Sequence, residues 1–335
     1  MSDKENNLEC RLCHMSGACK ELMRLNNFPK AAQFLPSKQQ FGEDTCVELV
    51  IEQCSFCGLV QLNTHPVPYY KDVITAASLT GASREILFSE FNEIIETFSL
   101  RKCKTLEIGA GTGQFVGLLR EIGLEATGLE NNPDSVRLAV SKGLNVKQGY
   151  LLDSNPFKEK YNFVISNNFL EHQPDVRAFL QQIHQLLEEK GLLYISVPNL
   201  QRIIDRACFY EFVVDHLVYF TEVTLKTALE ICGFDVLKVY LKNNNNDIAA
   251  IARKRPSLSI SEKIEKMDSV VASLKSFVRA LISQGKKVSV WGAGHRALAL
   301  MAISNLDEID YVIDSASFKQ GKYTPILKKK IVRNL

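Results

Sequence analysis

The chain is short of several things, and each absence narrows what it can be. It has no charge excess: 40 basic against 38 acidic side chains leave a formal +2. A duplex or RNA binder usually carries a basic excess on one domain, so no nucleic-acid partner is expected. No apolar run approaches the roughly 18 residues of a spanning helix, and the start, MSDKENNLECRLC, has no hydrophobic signal core. The expectation is therefore a cytoplasmic protein with no membrane partner. An even cysteine count is also missing, and nine cysteines disfavour a disulfide framework. There is no internal repeat, and the low-complexity tract Asn243–Asn246 reads as a hairpin turn. What remains is an ordinary globular composition, 46% hydrophobic and 23% charged over 335 residues. That excludes a disordered tail protein and suits two or three domains.

The cysteines that are present are crowded. Cys10, Cys13, Cys19, Cys46, Cys54 and Cys57 all lie within the first 57 residues. Cys10-Arg-Leu-Cys13 and Cys54-Ser-Phe-Cys57-Gly58 form two CxxC pairs. Two residues between cysteines let both sulfurs and the intervening amides turn around one metal, and two such knuckles complete a tetrahedral shell. The pattern points to structural Zn2+ on Cys10, Cys13, Cys54 and Cys57, with a redox CxxC or coincidental thiols as the other readings. His14 reads as a bystander. Residues 1–65 are otherwise rich in Asn and Gln, and short apolar runs promise little core of their own; the metal is expected to supply most of the folding energy there.

Residues 66–100 read as a connector leading into the helix SREILFSEFNEIIETF. Short apolar strands then alternate with amphipathic helices: KTLEIG, QFVGLLREIG, EATGLE, DSVRLAVSKG, NVKQG, NFVISN, DVRAFLQQIHQLLEEKG and GLLYISVPN. The helix TLKTALEICGF and the paired strands DVLKVYLK and DIAAIARK close the series. This predicts an α/β doubly wound parallel sheet, with the last hairpin adding an antiparallel edge. RKRPSLSISE is a polar linker, giving domains at 1–65, 66–255 and 256–335.

Leu106-Glu107-Ile108-Gly109-Ala110-Gly111-Thr112-Gly113 follows a strand and opens a helix. Glycines there allow close backbone approach, and the helix N-terminus offers free amides. Dinucleotide enzymes carry such a turn too, but the spacing here is G-x-G-x-G. Glu107 can pair with a cationic ligand, and Glu130, ending the next strand, can accept ribose hydroxyls. The pattern closely resembles class I S-adenosylmethionine-dependent methyltransferases. Asn167-Asn168-Phe169-Leu170-Glu171-His172-Gln173-Pro174-Asp175 resembles the segment that borders the methyl donor in that family. The acid that often holds the adenine amine is replaced by Gly149-Tyr150, leaving stacking on Tyr150 or main-chain bonds near Leu151. Donor contacts are thus expected from Glu107, Gly109, Gly111, Gly113, Glu130, Asn131, Tyr150, Leu151 and Asn167.

A third constellation is Val213-Val214-Asp215-His216-Leu217-Val218-Tyr219-Phe220-Thr221. A histidine beside an aspartate past the C-terminal edge of the sheet is where a base should lie, and a core histidine bonded to a carbonyl is the alternative. The order of CxxC pair, CxxC-G-L-V-Q-L, donor motif, D-H-L-x-Y-F-T and Trp291-Gly292-Ala293-Gly294 resembles the sugar C-methyltransferases of deoxysugar and surface-polysaccharide pathways. That resemblance implies a class I methyltransferase sheet with an N-terminal zinc-binding domain and a C-terminal partial Rossmann-like domain. It also implies S-adenosylmethionine as donor and a nucleotide-linked sugar between the central and C-terminal domains. His216 would remove the proton alpha to a keto group, with Asp215 and Tyr219 as catalytic companions. A monomer or homodimer is expected. The family's Y-H-E-H-L-x-Y-F-S departs here at Val213 and Asp215, and its glycine-rich G-G-S appears as Asn243–Asn246 with Asp247. Sugar O-methylation therefore stays open, as do a nucleic-acid methyltransferase and a non-catalytic relative.

Trp291-Gly292-Ala293-Gly294-His295-Arg296-Ala297, with Asp314 closing the next strand, follows a dinucleotide fingerprint. The resemblance assigns this domain to scaffold, without a redox cofactor. Only two strands are legible in it, so it reads as incomplete or packed on something else, and Lys328–Lys330 with Arg333 reads as a solvated tail.

Overall fold

The computed structural model describes residues 9–30, 35–42, 45–71, 79 and 81–333, in two compact units, Met1–Pro256 and Ser257–Leu335. Part of the expected connector at 66–83 and both chain ends lie outside the described residues. None of the described helices is long and apolar enough to cross a membrane.

The first unit begins with β1 (Cys19–Pro29), β2 (Cys46–Cys54) and β3 (Val60–Leu62). Then come α1 (Gly81–Phe98), β4 (Lys104–Ile108), α2 (Gln114–Glu121), β5 (Glu125–Glu130), α3 (Pro133–Ser141), β6 (Val146–Gln148) and β7 (Tyr161–Asn167). They are followed by α4 (Val176–Leu186), β8 (Leu187–Pro198), α5 (Leu200–Asp205), β9 (Val218–Tyr219), α6 (Glu222–Ile231), β10 (Phe234–Lys242) and β11 (Asp247–Lys254). The main sheet runs β10-β11-β8-β7-β4-β5-β6. This is the doubly wound α/β sheet expected from the strand–helix alternation.

Both faces of that sheet are covered, and the central strands show it in their sequence. Phe163, Val164 and Ile165 of β7 are all fully buried, a continuous apolar run of the kind parallel strands need. Val176, Phe179, Leu180, Ile183 and Leu186 give α4 one buried stripe, and Asp175 caps it by accepting the Ala178 N–H. Asn132 caps α3 in the same way, with Pro133 at its first position.

The hairpin of β10 and β11 adds the expected antiparallel edge: β11 inserts between β8 and β10, antiparallel to both. Two other expectations are corrected by the structure. The helix at 176–190 stops at Leu186. Leu187 pairs with Tyr161 in β8, and its fully buried side chain reaches the core only from extended backbone. The N-terminal segment also builds more than the sequence suggested. Strands β1 to β3 form a sheet with β9, which comes from the distant loop around residue 216. Leu49, Ile51, Val60 and Leu62 then pack with Leu200, Ile203, Phe212, Val214 and Tyr219. The missing apolar partners arrive from elsewhere in the chain, which local patterning cannot show.

The second unit holds α7 (Ser261–Ser283), β12 (Val290–Trp291), α8 (His295–Ile303), β13 (Val312–Ile313) and β14 (Ile331–Val332). Its three strands are parallel in the order β12-β13-β14. The stretch read as a tail thus supplies a third strand. Ile331 is buried among Val278, Met301 and Val312, while Lys328 and Lys330 stay exposed.

Candidate active site

The turn after β4 is built by glycine. Gly109, Gly111 and Gly113 all have left-handed φ (78°, 51° and 74°), a region that side chains disfavour. The Gly109 and Ala110 N–H groups donate to the Leu129 carbonyl at 2.9 and 3.0 Å, folding the turn over β5. Glu130 finishes the job: one carboxylate oxygen accepts the Gly111 N–H at 2.8 Å and the other the Asn132 N–H at 2.7 Å.

Beside this turn lies a cavity of about 270 Å³, lined among others by Glu107, Gly109, Thr112, Asn167, Asn168 and Asp247. Glu107 is 4% exposed, and its Oε2 is buried without a hydrogen-bond partner. Burial, then the neighbouring Glu130 charge, pushes its carboxyl well above the usual range. An orphaned buried acceptor of this kind calls for a cation, and the ammonium of S-adenosylmethionine fits that demand. A smaller crevice of about 10 Å³ joins at Gly109 and is lined by Lys71, Asn131, Tyr150, Leu151 and Phe169. The Tyr150 hydroxyl donates to Gln173 Oε1 at 2.6 Å, and Lys71 Nζ lies 5.1 Å from the ring centroid.

The structure thus places Glu107, Gly109 and Asn167 on the larger cavity and Asn131, Tyr150 and Leu151 on the smaller one. Gly111, Gly113 and Glu130 shape the turn between them. Asn167 and Asn168 are held by Ser196, whose hydroxyl lies 3.2 and 2.8 Å from their side-chain oxygens. Ser196, Lys242 and Asn243 also line the larger cavity, and the sequence reading missed them. Lys242 is itself fixed by Glu90 Oε2 at 2.7 Å and the Tyr194 hydroxyl at 2.8 Å. Nothing in the local sequence joins a lysine to a glutamate 152 residues away.

His216 sits in the loop before β9, clamped by two hydrogen bonds to the turn after β7. The Leu217 N–H donates to the Glu171 carbonyl at 2.7 Å, and His172 Nδ1 lies 2.8 Å from the Asp215 carbonyl. The rings of His172 and His216 meet edge to face, centroids 4.8 Å apart. Burial, and then His172, lower the His216 imidazole to about 3, so it is neutral near pH 7. Among the described residues no hydrogen bond joins the Asp215 carboxylate to His216; the carboxylate accepts instead from the Tyr69 hydroxyl at 3.1 Å. Tyr219 is buried, and its phenol lies 3.0 and 3.2 Å from the Val213 N and O, anchoring that loop. Glu171, His172 and Tyr69 are the neighbours that the sequence reading did not single out.

The four expected metal ligands converge. Cys10 and Cys57 sulfurs lie 3.4 Å apart, Cys13 and Cys54 sulfurs 3.6 Å, and all four within 4.8 Å of one another. A tetrahedral zinc with bonds of about 2.3 Å needs sulfurs about 3.8 Å apart, so the set fits such an ion. Each knuckle turns through a left-handed residue after its second cysteine, His14 and Gly58. The His14 ring bonds Asp175 at 3.1 Å rather than joining the sulfurs. The first knuckle docks on the catalytic unit as well: Val176 N–H donates to the Arg11 carbonyl, and Arg11 Nη1 donates to the Pro174 carbonyl, each at 3.0 Å.

Sequence comparisons match methyltransferase families in both units. Residues 81–239 match a family described as a methyltransferase domain, and residues 259–334 match a C-methyltransferase C-terminal domain. The C-methyltransferase NovU of Streptomyces niveus is 22% identical over 351 residues, covering 95% of this chain and 83% of NovU. A ubiquinone biosynthesis O-methyltransferase of Glaesserella parasuis is 30% identical across 29% of this chain and 45% of its own length. Among solved structures, the PH0226 protein of Pyrococcus horikoshii superposes with a TM-score of 0.46 at 14% identity, over 56% of this chain and 99% of its own. Residues 81–239 thus form a methyltransferase domain on the class I fold, and the chain is a methyltransferase.

Proposed function

We propose that the enzyme methylates a carbon of a nucleotide-linked keto sugar, with His216 as the base. The observation that carries this reading is His216 itself: a half-buried imidazole past the C-terminal edge of the sheet, clamped through Glu171 to the turn that follows Asn167 and Asn168. A match at 259–334 to a C-methyltransferase domain supports carbon as the acceptor. S-adenosylmethionine, when bound, supplies the electrophilic methyl group. Glu107 holds its cationic end, and the glycine turn and Tyr150 flank the nucleoside. His216 takes the proton alpha to the keto group, leaving the electron pair on the carbon that is methylated. The substrate is a small molecule in this reading, not a nucleic acid.

The test is incubation of keto and reduced nucleotide sugars in deuterated water. Exchange of the alpha proton without methyl donor, lost in His216→Ala, is the expected result. Methyl transfer to a hydroxyl with no exchange overturns carbon chemistry and establishes the O-methyl reading, which Val213 in place of a phenol favours.

Zinc on Cys10, Cys13, Cys54 and Cys57 is proposed as structural. The pairing of β3 with β9 carries its effect to residue 216, so chelation should lower methyl transfer together with the N-terminal sheet signal in circular dichroism.

A further inference from the structure

We propose that Glu171, His172 and His216 form a second metal site, for a divalent transition-metal ion such as zinc or cobalt, bound through one carboxylate oxygen and two imidazole nitrogens. One ligand atom from each lies within 4.8 Å of the others. The tetrathiolate cluster is a separate group of ligands, none of them shared.

Three features make this a site and not an accident of packing. Glu171 is 2% exposed, and its Oε2 is a buried acceptor with no hydrogen-bond partner. His172 Nδ1, at 2.8 Å from the Asp215 carbonyl, donates to it. That bond fixes the tautomer and leaves the Nε2 lone pair for an ion, the outer-shell arrangement that metal-bound histidines use. The Leu217 N–H to Glu171 carbonyl bond and the His172 ring to Asp215 carbonyl bond hold the two donor segments in register before any ion arrives. Both histidines keep partial exposure, which gives an ion a way in. Two imidazoles and a carboxylate are a donor set zinc accepts, with a fourth position open. A soft tetrathiolate preference is absent, so the two sites differ in spectrum.

The site goes beyond the proposed chemistry and constrains it. An imidazole nitrogen bound to a metal has no lone pair for a proton. An ion held by His216 and proton abstraction by His216 are therefore alternatives, and occupancy should switch the enzyme off.

The experiment uses the full-length protein carrying one equivalent of zinc, on its cysteines, with cobalt(II) added and no substrate. One equivalent should bind with visible d–d bands and without the near-ultraviolet thiolate band of a cysteine site. Outer-shell partners alone are worth about 10–100-fold in metal affinity. His172→Ala and Glu171→Gln, each removing a ligand, should therefore weaken cobalt binding by more than about 100-fold. Retention of one zinc on the cysteines and an unchanged circular dichroism spectrum would show that both variants fold. Absence of binding at millimolar cobalt overturns the site, as does binding that survives both substitutions. Methyl transfer should fall along the cobalt isotherm. A rise instead keeps the site and removes His216 as base, so the two readings fail separately.

Discussion

The chain contains the same turn twice, and the two copies differ in the charge beside them. In the first unit the acid ending the second strand, Glu130, accepts the N–H of Gly111 in the glycine turn and the N–H of Asn132 two residues beyond itself. In the second unit Asp314 does the same, accepting from Ala293 in its glycine turn at 2.7 Å and from Ala316 two residues beyond itself at 2.9 Å. The difference lies in what else reaches the turn. Lys319 Nζ sits 3.1 Å from both Asp314 Oδ2 and the Ala293 carbonyl, a built-in cation over the turn. The first turn instead presents Glu107 with a bare buried oxygen beside a cavity. A glycine-rich turn with an acid one strand later is thus a way of folding strand to helix. It becomes a binding site where a neighbouring charge is left uncompensated.

The largest expected contrast is in the glycines. A Cβ on Gly113 would meet Leu144 at 2.9 Å, Ala139 at 3.1 Å and Val146 at 3.2 Å, on a backbone with φ of 74°. Gly113→Ala should cost about 1–2 kcal/mol in backbone strain plus about 1–3 kcal/mol in overpacking. Gly294 has nothing within 4 Å, so Gly294→Ala should stay within about 0.5 kcal/mol. Denaturant melts of the two variants measure this, and equal losses would break the comparison. Next comes affinity. Hydrogen bonds to charged groups are worth about 1.5–3 kcal/mol, so Glu107→Gln should weaken S-adenosylhomocysteine by about 10–100-fold while Asp314→Asn leaves it unchanged. Calorimetry decides, and a comparable loss in both variants would make the second turn a donor site too.

A third contrast is protonic. Burial raises Glu107 above its unfolded value, so the folded state holds an extra proton in the window above the ordinary carboxylate range. That stabilisation is complete below the unfolded pKa and is lost as pH rises through the raised folded one. A bound ammonium favours the ionised form, so ligand binding should expel a proton and tighten as pH rises through that window. Binding heats in two buffers of different ionisation enthalpy report the release. Glu107→Gln should abolish it; release that persists in the variant assigns the proton elsewhere.

How much of this could be read in advance follows from the range of the interactions. The β4 to β8 alternation was legible because each strand and helix carries its own period, as in the buried stripe of α4. The cysteines were legible because metal spacing is local. The strand order at the sheet edge was not, since a hairpin can dock by either strand and β11 wins through seven paired residues with β8. Neither was β9: two residues, Val218 and Tyr219, join a sheet whose other strands end before residue 65. At the site, Glu107 and the glycines were local, whereas Tyr69 reaches Asp215 across 146 residues. His172 lay inside a quoted motif, yet its partner in space, His216, is what gives it a role.

The smallest expected effect is the most discriminating for the second turn. Main-chain donors at Ala316 and Ala293, and after them Lys319, hold Asp314 below the usual carboxylate range. A depressed acid contributes stability above its unfolded pKa and loses it as pH falls through the folded one. Because the two N–H groups act before the lysine, Lys319→Met should let Asp314 rise only part of the way back. The ion pair is partly exposed and screened by solvent, so its loss at neutral pH should barely move a denaturant midpoint. Carboxyl-carbon NMR across pH 2–6 follows the titration, and S-adenosylhomocysteine affinity should not move. Full recovery of the ordinary carboxylate value would mean that the cation, not the turn, sets the charge. The second turn would then resemble an occupied binding site with Lys319 as its resident ligand.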